Sequence, residues 1–313
     1  LSEQLGYLQC RFNGTVVSAS GATGTSAVCN STSATGIASV EVSSNGRDFT
    51  TSGVQFELVR VVLSDVAPWT GPHLGGTLVT LTGAGVGAVS SLELGCRFGE
   101  SEVVSASVHG GSEARCVSPS SGLGGWTSVE LLSDGVALRS GGSFLYYSRV
   151  WVSAVAPLLG PVEGGTRLTV LGTPFREAAT LRCRFDERSK TVTARHIGAG
   201  QLECATPVQS GAGSRAVEVS LNAQQFSTSG VGFTYVSTVS LSSVWPSRGA
   251  SEGGTAVTVH GSGLTALSEQ LGYLQCRFNG TVVSASGATG TSAVCNSTSA
   301  TGIASVEVSS NGR

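Results

Sequence analysis

Lysine is almost absent from this chain: Lys190 is the only one, and the other cations are arginine. Charged residues of both signs amount to 12% of the sequence, with a formal net charge of −2. That balance excludes the clustered basic surface that a phosphate backbone requires, so no nucleic-acid partner is expected. Long apolar runs are missing as well. None approaches the ~20 residues of a membrane helix, so no membrane span is expected in this segment. No stretch keeps a sustained helical period, and no Cys-x-x-Cys pair is present. Methionine is absent altogether. No secretory leader is visible, and an excerpt from a longer chain would not carry one.

Glycine is abundant: Gly 44 and Pro 8 make up about 17% of the 313 residues, above the roughly 12% of an average globular chain. With plentiful Ser, Thr and Val, this favours many short strands joined by turns.

The chain is organised by repetition. Residues 1–47 recur without a change as residues 267–313, at an offset of 266. We therefore expect an excerpt from a longer tandem array, continued after Arg313 by Asp-Phe-Thr-Thr-Ser-Gly as residues 48–53 continue Arg47. A finer period lies inside. Val66-Ala67-Pro68, Val155-Ala156-Pro157 and Val244-Trp245-Pro246 each precede a Gly-Gly-Thr, at Gly75, Gly164 and Gly253. The long repeat thus reads as three diverged types of about 89 residues, a normal size for a small sandwich domain.

Each type follows one grammar. An alternating strand succeeds Gly-Gly-Thr, as in Leu78-Val79-Thr80-Leu81. A Gly-containing turn leads to Cys-Arg-Phe at Cys96, Cys183 and Cys276, and at Cys10 in the N-terminal copy. A Val-rich strand, a second Cys, a strand such as Val217-Glu218-Val219 and an aromatic end (Phe144-Leu145-Tyr146, Phe233-Thr234-Tyr235) complete it. Period-two alternation with turns every 8–12 residues reads as an antiparallel β-sandwich.

The order Pro, Gly-Gly-Thr, Cys-Arg-Phe, Cys and terminal Phe-x-Tyr resembles the IPT/TIG domain over essentially the whole chain. The resemblance implies an all-β fold: tandem immunoglobulin-like β-sandwich domains in an extended array. The boundaries expected are 1–58 for the C-terminal part of a third-type domain, 59–148 for the first type and 149–237 for the second. Residues 238–313 are then a third-type domain lacking its last strand. The family occurs in plexin-type receptor ectodomains, fibrocystin-like surface proteins, partners of carbohydrate-active enzymes and some transcription factors, so it implies a modular role, not one activity.

Eight cysteines fall into four pairs, Cys10/Cys29, Cys96/Cys116, Cys183/Cys204 and Cys276/Cys295, separated by 19, 20, 21 and 19 residues. One pair per domain is what an intradomain disulfide requires, and it implies an oxidising, extracellular or cell-surface setting. Zinc is a poorer reading without a nearby His or Cys-x-x-Cys; buried free thiols are the plain alternative.

Asn13 and Asn30 open N-x-[ST] sequons, repeated at Asn279 and Asn296, and mark only the third type for N-linked glycans. If Cys10 and Phe12 face the core, alternation turns Asn13 outward, and Asn30 follows from Cys29. Chance sequons in a Ser/Thr-rich text are the alternative. Residues 118–121 carry a weak O-glycosylation signal.

Chemistry is sparse. The run from Gly83 to Ala88 mimics a dinucleotide-binding glycine pattern, but Cys96 arrives before any helix, and sister types place Gly172-Thr173-Pro174 and Gly261-Ser262-Gly263 there. It reads as a turn, and no cofactor is expected. His73, His109, His196 and His260 are scattered, with His109 and His196 in equivalent loops, and Asp186-Glu187 lacks calcium-loop spacing. No metal site and no catalytic set is expected, so the chain does not read as an enzyme. Arg11, Arg97, Arg184 and Arg277 face outward, either solvated or paired with carboxylates, or meeting neighbours along a row. Trp69, Trp151 and Trp245 belong either to domain junctions or to the core.

The function expected is a structural subunit of an extracellular glycosylated fibre or cell-surface appendage, self-associating with other copies of the same repeat. Identical units make identical contacts, and an unclosed contact propagates as a filament. The alternative is a receptor or adhesin ectodomain holding protein or carbohydrate through its loops.

Overall fold

The structure is a computed structural model that describes residues 6–89, 93–173, 175–186 and 191–312. Pro174, Glu187 and Lys190, singled out above, lie outside the described residues. The chain divides into two compact units. One comprises Leu1–Trp69, Leu74–Ser121 and Gly125–Leu145, and the other Thr70–His73, Gly122–Gly124 and Tyr146–Arg313.

The sandwich of residues 151–236, within the second unit, shows the plan. Its strands run in the order Trp151–Ala156, Arg167–Thr173, Gln201–Ala205, Val192–Gly198, Arg182–Phe185, Gly213–Ser220, Gly232–Val236 and Leu159–Pro161. Strand Val192–Gly198 is the fold line. Val192 and Thr193 pair with Cys183 and Arg182, whereas Ala194 to Gly198 pair with Gln201 to Cys204. The hydrogen-bonded ribbon therefore turns from one layer into the other at this strand. Alternation sends Leu168, Val170, Leu202, Val217, Val219 and Phe185 inward, all essentially buried. Phe233 meets Phe185 and Tyr235 edge-on, with ring centroids 6.2 and 5.0 Å apart.

The strands between Val62 and Tyr147 repeat this order. A third sheet runs Ser240–Trp245, Ala256–Leu264, Gly290–Asn296, Thr281–Ser286, Gln275–Phe278 and Val306–Ser309. A fourth, in the first unit, runs Val28–Cys29, Thr15–Ser20, Gln9–Phe12, Gly36–Ser43 and Gln55–Leu58.

The recurrent glycines have a backbone reason. Gly75, Gly164 and Gly253 sit at φ of 80°, 75° and 84°, where glycine alone is unstrained. A Cβ on them would lie 2.6–2.8 Å from the backbone of residues 119, 207 and 299. The Thr two residues on then joins a clasp that sequence reading passed over. Its N–H donates to the hydroxyl of the Ser or Thr two residues after the second Cys: Thr77 to Ser118, Thr166 to Thr206 and Thr255 to Ser297, each at 3.1 Å. The N–H of that Ser or Thr donates back to the Thr carbonyl at 2.8–2.9 Å. Ser118 is thereby 2% exposed and holds a strand in place, which removes it as an O-glycosylation acceptor.

Among the described residues two short helical elements interrupt the β pattern, a 3-10 turn at Val86–Val89 and the segment Ala266–Gln270. Ala266–Gln270 forms a single turn, N-capped by the Thr265 hydroxyl. Its Glu269 carboxylate accepts from the N–H groups of Gly287 (2.9 Å) and Ala288 (2.7 Å), tying down the loop after strand Thr281–Ser286. Within the second unit, the Leu158 N–H donates to the Tyr273 hydroxyl at 3.4 Å, and the Asn311 amide donates to Thr166 Oγ1 at 3.4 Å. These bonds connect the sandwich of residues 151–236 to the sheet that follows it.

Burial pushes the Tyr235 hydroxyl up to about 12, outweighing the smaller opposite pulls of Gln209, Thr206 and Arg215. Burial raises Tyr147 as well. Between about pH 10 and pH 12 the unfolded chain loses a phenolic proton that folded Tyr235 keeps, so stability falls as pH rises. The expected loss at pH 12 is about 2–3 kcal/mol. Urea titrations followed by circular dichroism from about pH 9 upward, below the ordinary titration of tyrosine near ~10, should show it. Tyr235→Phe should remove its share of the slope.

Candidate functional surface

The structure joins Cys10 to Cys29, Cys96 to Cys116, Cys183 to Cys204 and Cys276 to Cys295, with Cα–Cα distances of 6.2–6.5 Å, inside the range a disulfide allows. Among the described residues no cysteine is free. In the sandwich of residues 151–236, the bridge links the two strands that flank the fold line.

On the outward side of every Cys-Arg-Phe strand, the arginine faces a glutamate directly across the ladder. The register pairs Arg11 with Glu41, Arg97 with Glu130, Arg184 with Glu218 and Arg277 with Glu307. Three of the four close as ion pairs: Arg11–Glu41, Arg97–Glu130 and Arg277–Glu307. A phenylalanine covers two of the guanidinium groups, Phe49 over Arg11 at 4.2 Å and Phe226 over Arg184 at 4.3 Å. The carboxylate-paired reading of these arginines therefore holds in three copies. Its partner was legible as the Glu flanked by two aliphatic residues, 30–34 positions downstream.

The fourth copy diverges. Glu218 is 7% exposed and accepts from the Ser227 hydroxyl, the Ser229 N–H (3.0 Å) and the Gly230 N–H (3.0 Å). It pins the loop before the last strand, while Arg184 stacks on Phe226 and its Nε is buried without a hydrogen-bond partner. Arg215 lies 3.8 Å from Asp186.

Asn13 and Asn279 are exposed, yet they sit in hairpin turns and not on strands as alternation implied. Asn13-Gly14 and Asn279-Gly280 have positive φ at both positions (43° and 89°, 46° and 92°). This is the two-residue turn that Asn-Gly favours. Gly99 and Asp186 hold the same place in the sister copies, at φ 61° and 82°. The Asn13 side-chain Oδ1 accepts from the Ser39 N–H and that of Asn279 from the Ser305 N–H, both at 2.8 Å. These two asparagines thus have a folding role that their sequons concealed. Asn30 and Asn296, next to their disulfide cysteines, are exposed too.

The histidines depart from expectation. His109 and His196 occupy matching strands, Val104–His109 and Val192–Gly198, not loops. Among the described residues no three His, Cys, Asp or Glu side chains come together as a metal would need. The tryptophans are not core: Trp151 is 51% and Trp245 72% exposed, and Trp69, 36% exposed, stacks on exposed Trp126 with centroids 5.6 Å apart. The Gly83 run closes on backbone: a Cβ at Gly83 would lie 2.3 Å from the Val62 carbonyl oxygen and one at Gly85 2.1 Å from that of Arg60. Glycine is required there by chain packing.

Comparison with known proteins agrees with this architecture. The model of the IPT/TIG domain matches residues 62–147, 151–235 and 240–313. Rat plexin-A3 is 28% identical over 225 residues, covering 66% of this chain and 11% of the plexin. Human plexin-A4 is 32% identical over 170 residues, 50% of this chain and 8% of its own length. A solved structure of the full plexin A4 extracellular region covers 95% of this chain and 32% of that one, at 16% identity and a TM-score of 0.47. The chain therefore spans about a tenth of the length of the curated relatives it matches. The four disulfides, which persist in oxidising compartments, and the kinship with plexins make it an extracellular or cell-surface protein. The Gly-Gly-Thr clasp and the bridged Cys-Arg-Phe strand recur in all three matched segments and the aromatic last strand in the first two, and the chain belongs to the IPT/TIG domain family.

Proposed function

We propose that this chain is a stretch of a receptor- or adhesin-type ectodomain, a non-catalytic array of disulfide-locked sandwiches that holds protein or carbohydrate through its loops. The observation that carries this reading is the kinship with plexins over two thirds of the chain. The outward arginines and glutamates of the Cys-Arg-Phe face have structural roles, in three cross-strand ion pairs and one loop anchor. In this reading residues 59–148, 149–237 and 238–313 are successive domains and residues 1–58 the C-terminal part of another of the third type.

The exact recurrence of 47 residues favours a second reading, the fibre or appendage built from copies of one repeat, because identical text offers identical contact surfaces. Immunogold electron microscopy on intact cells separates the two. Single labelled molecules scattered over the surface are expected for an ectodomain; ordered bundles with a constant axial repeat would favour the fibre and overturn the first reading.

Asn13, Asn30, Asn279 and Asn296 are proposed to carry N-linked glycans, since all four are exposed and a glycan on the amide nitrogen leaves the turn-holding oxygens of Asn13 and Asn279 in place. Peptide mapping of the secreted chain after enzymatic glycan release should find Asn converted to Asp at all four positions. Unmodified Asn throughout would reduce the sequons to chance.

A further inference from the structure

The sandwich of residues 151–236 departs from its sisters at one guanidinium. In the other three copies the Nε–H of the Cys-Arg-Phe arginine donates to the facing glutamate: Arg11 to Glu41, Arg97 to Glu130 and Arg277 to Glu307. Arg184 has no such acceptor, because the Glu218 carboxylate is turned to the Ser227 hydroxyl and the N–H groups of Ser229 and Gly230. Its Nε is buried without a hydrogen-bond partner, and it joins none of the ion pairs among the described residues. Phe226 holds it at 4.3 Å, as Phe49 holds Arg11 at 4.2 Å. Arg11 thus shows that the aromatic stack leaves room for a carboxylate. A sheltered, uncompensated guanidinium gains most from an acceptor brought by another molecule.

Arg184 lines a pocket of about 310 Å³, at the low end of small-molecule sites and sized for one ring, not a chain. Arg215 supplies a second guanidinium to its wall, and Ser214 and Thr228 present exposed hydroxyls. Arg149 adds a third cation at the rim, where its Nη2 donates to Thr228 Oγ1 at 2.6 Å. Two carboxylates face these three arginines. Glu218 is taken up by its three donors, and Asp186 lies 3.8 Å from Arg215. The balance is cationic on the Arg184 side. Ala216 is the only apolar side chain in the wall among the described residues, so the aromatic or aliphatic anchor of a protein partner has no seat there.

We propose that this pocket binds an acidic sugar, a uronic acid residue at the end of a glycan. Arg184 takes the sugar carboxylate, as its sisters take a glutamate, Arg215 is the second cation, and Ser214 and Thr228 meet ring hydroxyls. The assignment rests on the reading of the chain as an ectodomain that holds carbohydrate, and it names the class of sugar.

The test titrates the 15N-labelled chain of 313 residues with sodium glucuronate at constant ionic strength, followed by NMR. Saturable shifts are expected at residues 184, 214–216 and 228–230, with a Kd of about 1–10 mM, as the few non-hydrogen atoms of one sugar allow. Glucose, which lacks the carboxylate, should give no saturable shift. Acetate, which lacks the ring, should bind at least about tenfold more weakly. Arg184→Lys keeps the charge and loses the planar fork, and should weaken glucuronate binding at least about tenfold. Arg215→Gln should weaken it too and leaves the Arg184–Phe226 stack untouched, so a folding defect in the first variant would not obscure the result. Arg97→Gln, at an arginine already held by Glu130, should change nothing. Unsaturable shifts, shifts spread over the arginines of the other sandwiches, or indifference to both pocket variants overturn the proposal. Tighter binding of an aspartate-rich peptide than of glucuronate would assign the pocket to a protein partner and overturn it as well. Each of these failures leaves the ectodomain reading standing, since that reading is tested by labelling at the cell surface.

Discussion

Replacing Cys183 and Cys204 together by alanine is expected to destabilise the sandwich of residues 151–236 by about 3 kcal/mol. That value follows from the conformational freedom returned to the unfolded chain when a loop of this length is opened. The location of the bridge makes the effect regional. It spans the strand at which the sheet folds over, so its loss releases the flanking strands Arg182–Phe185 and Gln201–Ala205 together. Hydrogen-exchange mass spectrometry under native conditions should show faster exchange in Gln201–Ala205 and Gly213–Ser220, with little change in Gly36–Ser43. Uniform acceleration along the chain would mean that the bridges do not act one sandwich at a time.

Glu218→Ala should cost a similar or larger amount, about 3–5 kcal/mol, whereas Glu307→Ala at the same register position should cost no more than about 1 kcal/mol. The two glutamates occupy one place in the repeat and differ only in surroundings. Glu307 and Arg277 are both more than half exposed, so water screens their pairing and rehydrates whichever partner is left. Glu218 is buried and accepts three hydrogen bonds from Ser227, Ser229 and Gly230. Its removal strands donors in a poorly solvated loop, each costing about 1–3 kcal/mol. Urea titration of each variant, with exchange in Gly213–Ser220 and Val306–Ser309 as the local readout, distinguishes them. Equal losses would mean that the burial of Glu218 carries no weight.

That contrast marks how far the residues alone reach. The outward arginine of Cys-Arg-Phe is visible in four copies, and its carboxylate partner was available from the Glu between two aliphatic residues downstream. Nothing local distinguishes the copy in which the carboxylate turns to a loop. Ser227 lies nine residues beyond Glu218, and only the fold brings the two together. Asn13 and Asn279 show the converse. Their N-x-[ST] text drew attention to glycans, while the same Asn-Gly dipeptide was already a turn signal, confirmed by positive φ at both positions.

By itself the sequence determined the all-β class, the repeat of three sandwich types, the cysteine partners and the aromatic last strand. Each is written in local alternation or constant spacing, and alternation and spacing survive in a linear text. Only the tertiary structure decided that the tryptophans are surface residues and that His109 and His196 lie on strands. It likewise decided that Gly-Gly-Thr clasps the residue two past the second cysteine. Those outcomes depend on which strand lies across from which and on how closely two backbones approach. Such distances between residues about 40 apart in the chain, as for Thr77 and Ser118, have no signature in the order of the letters.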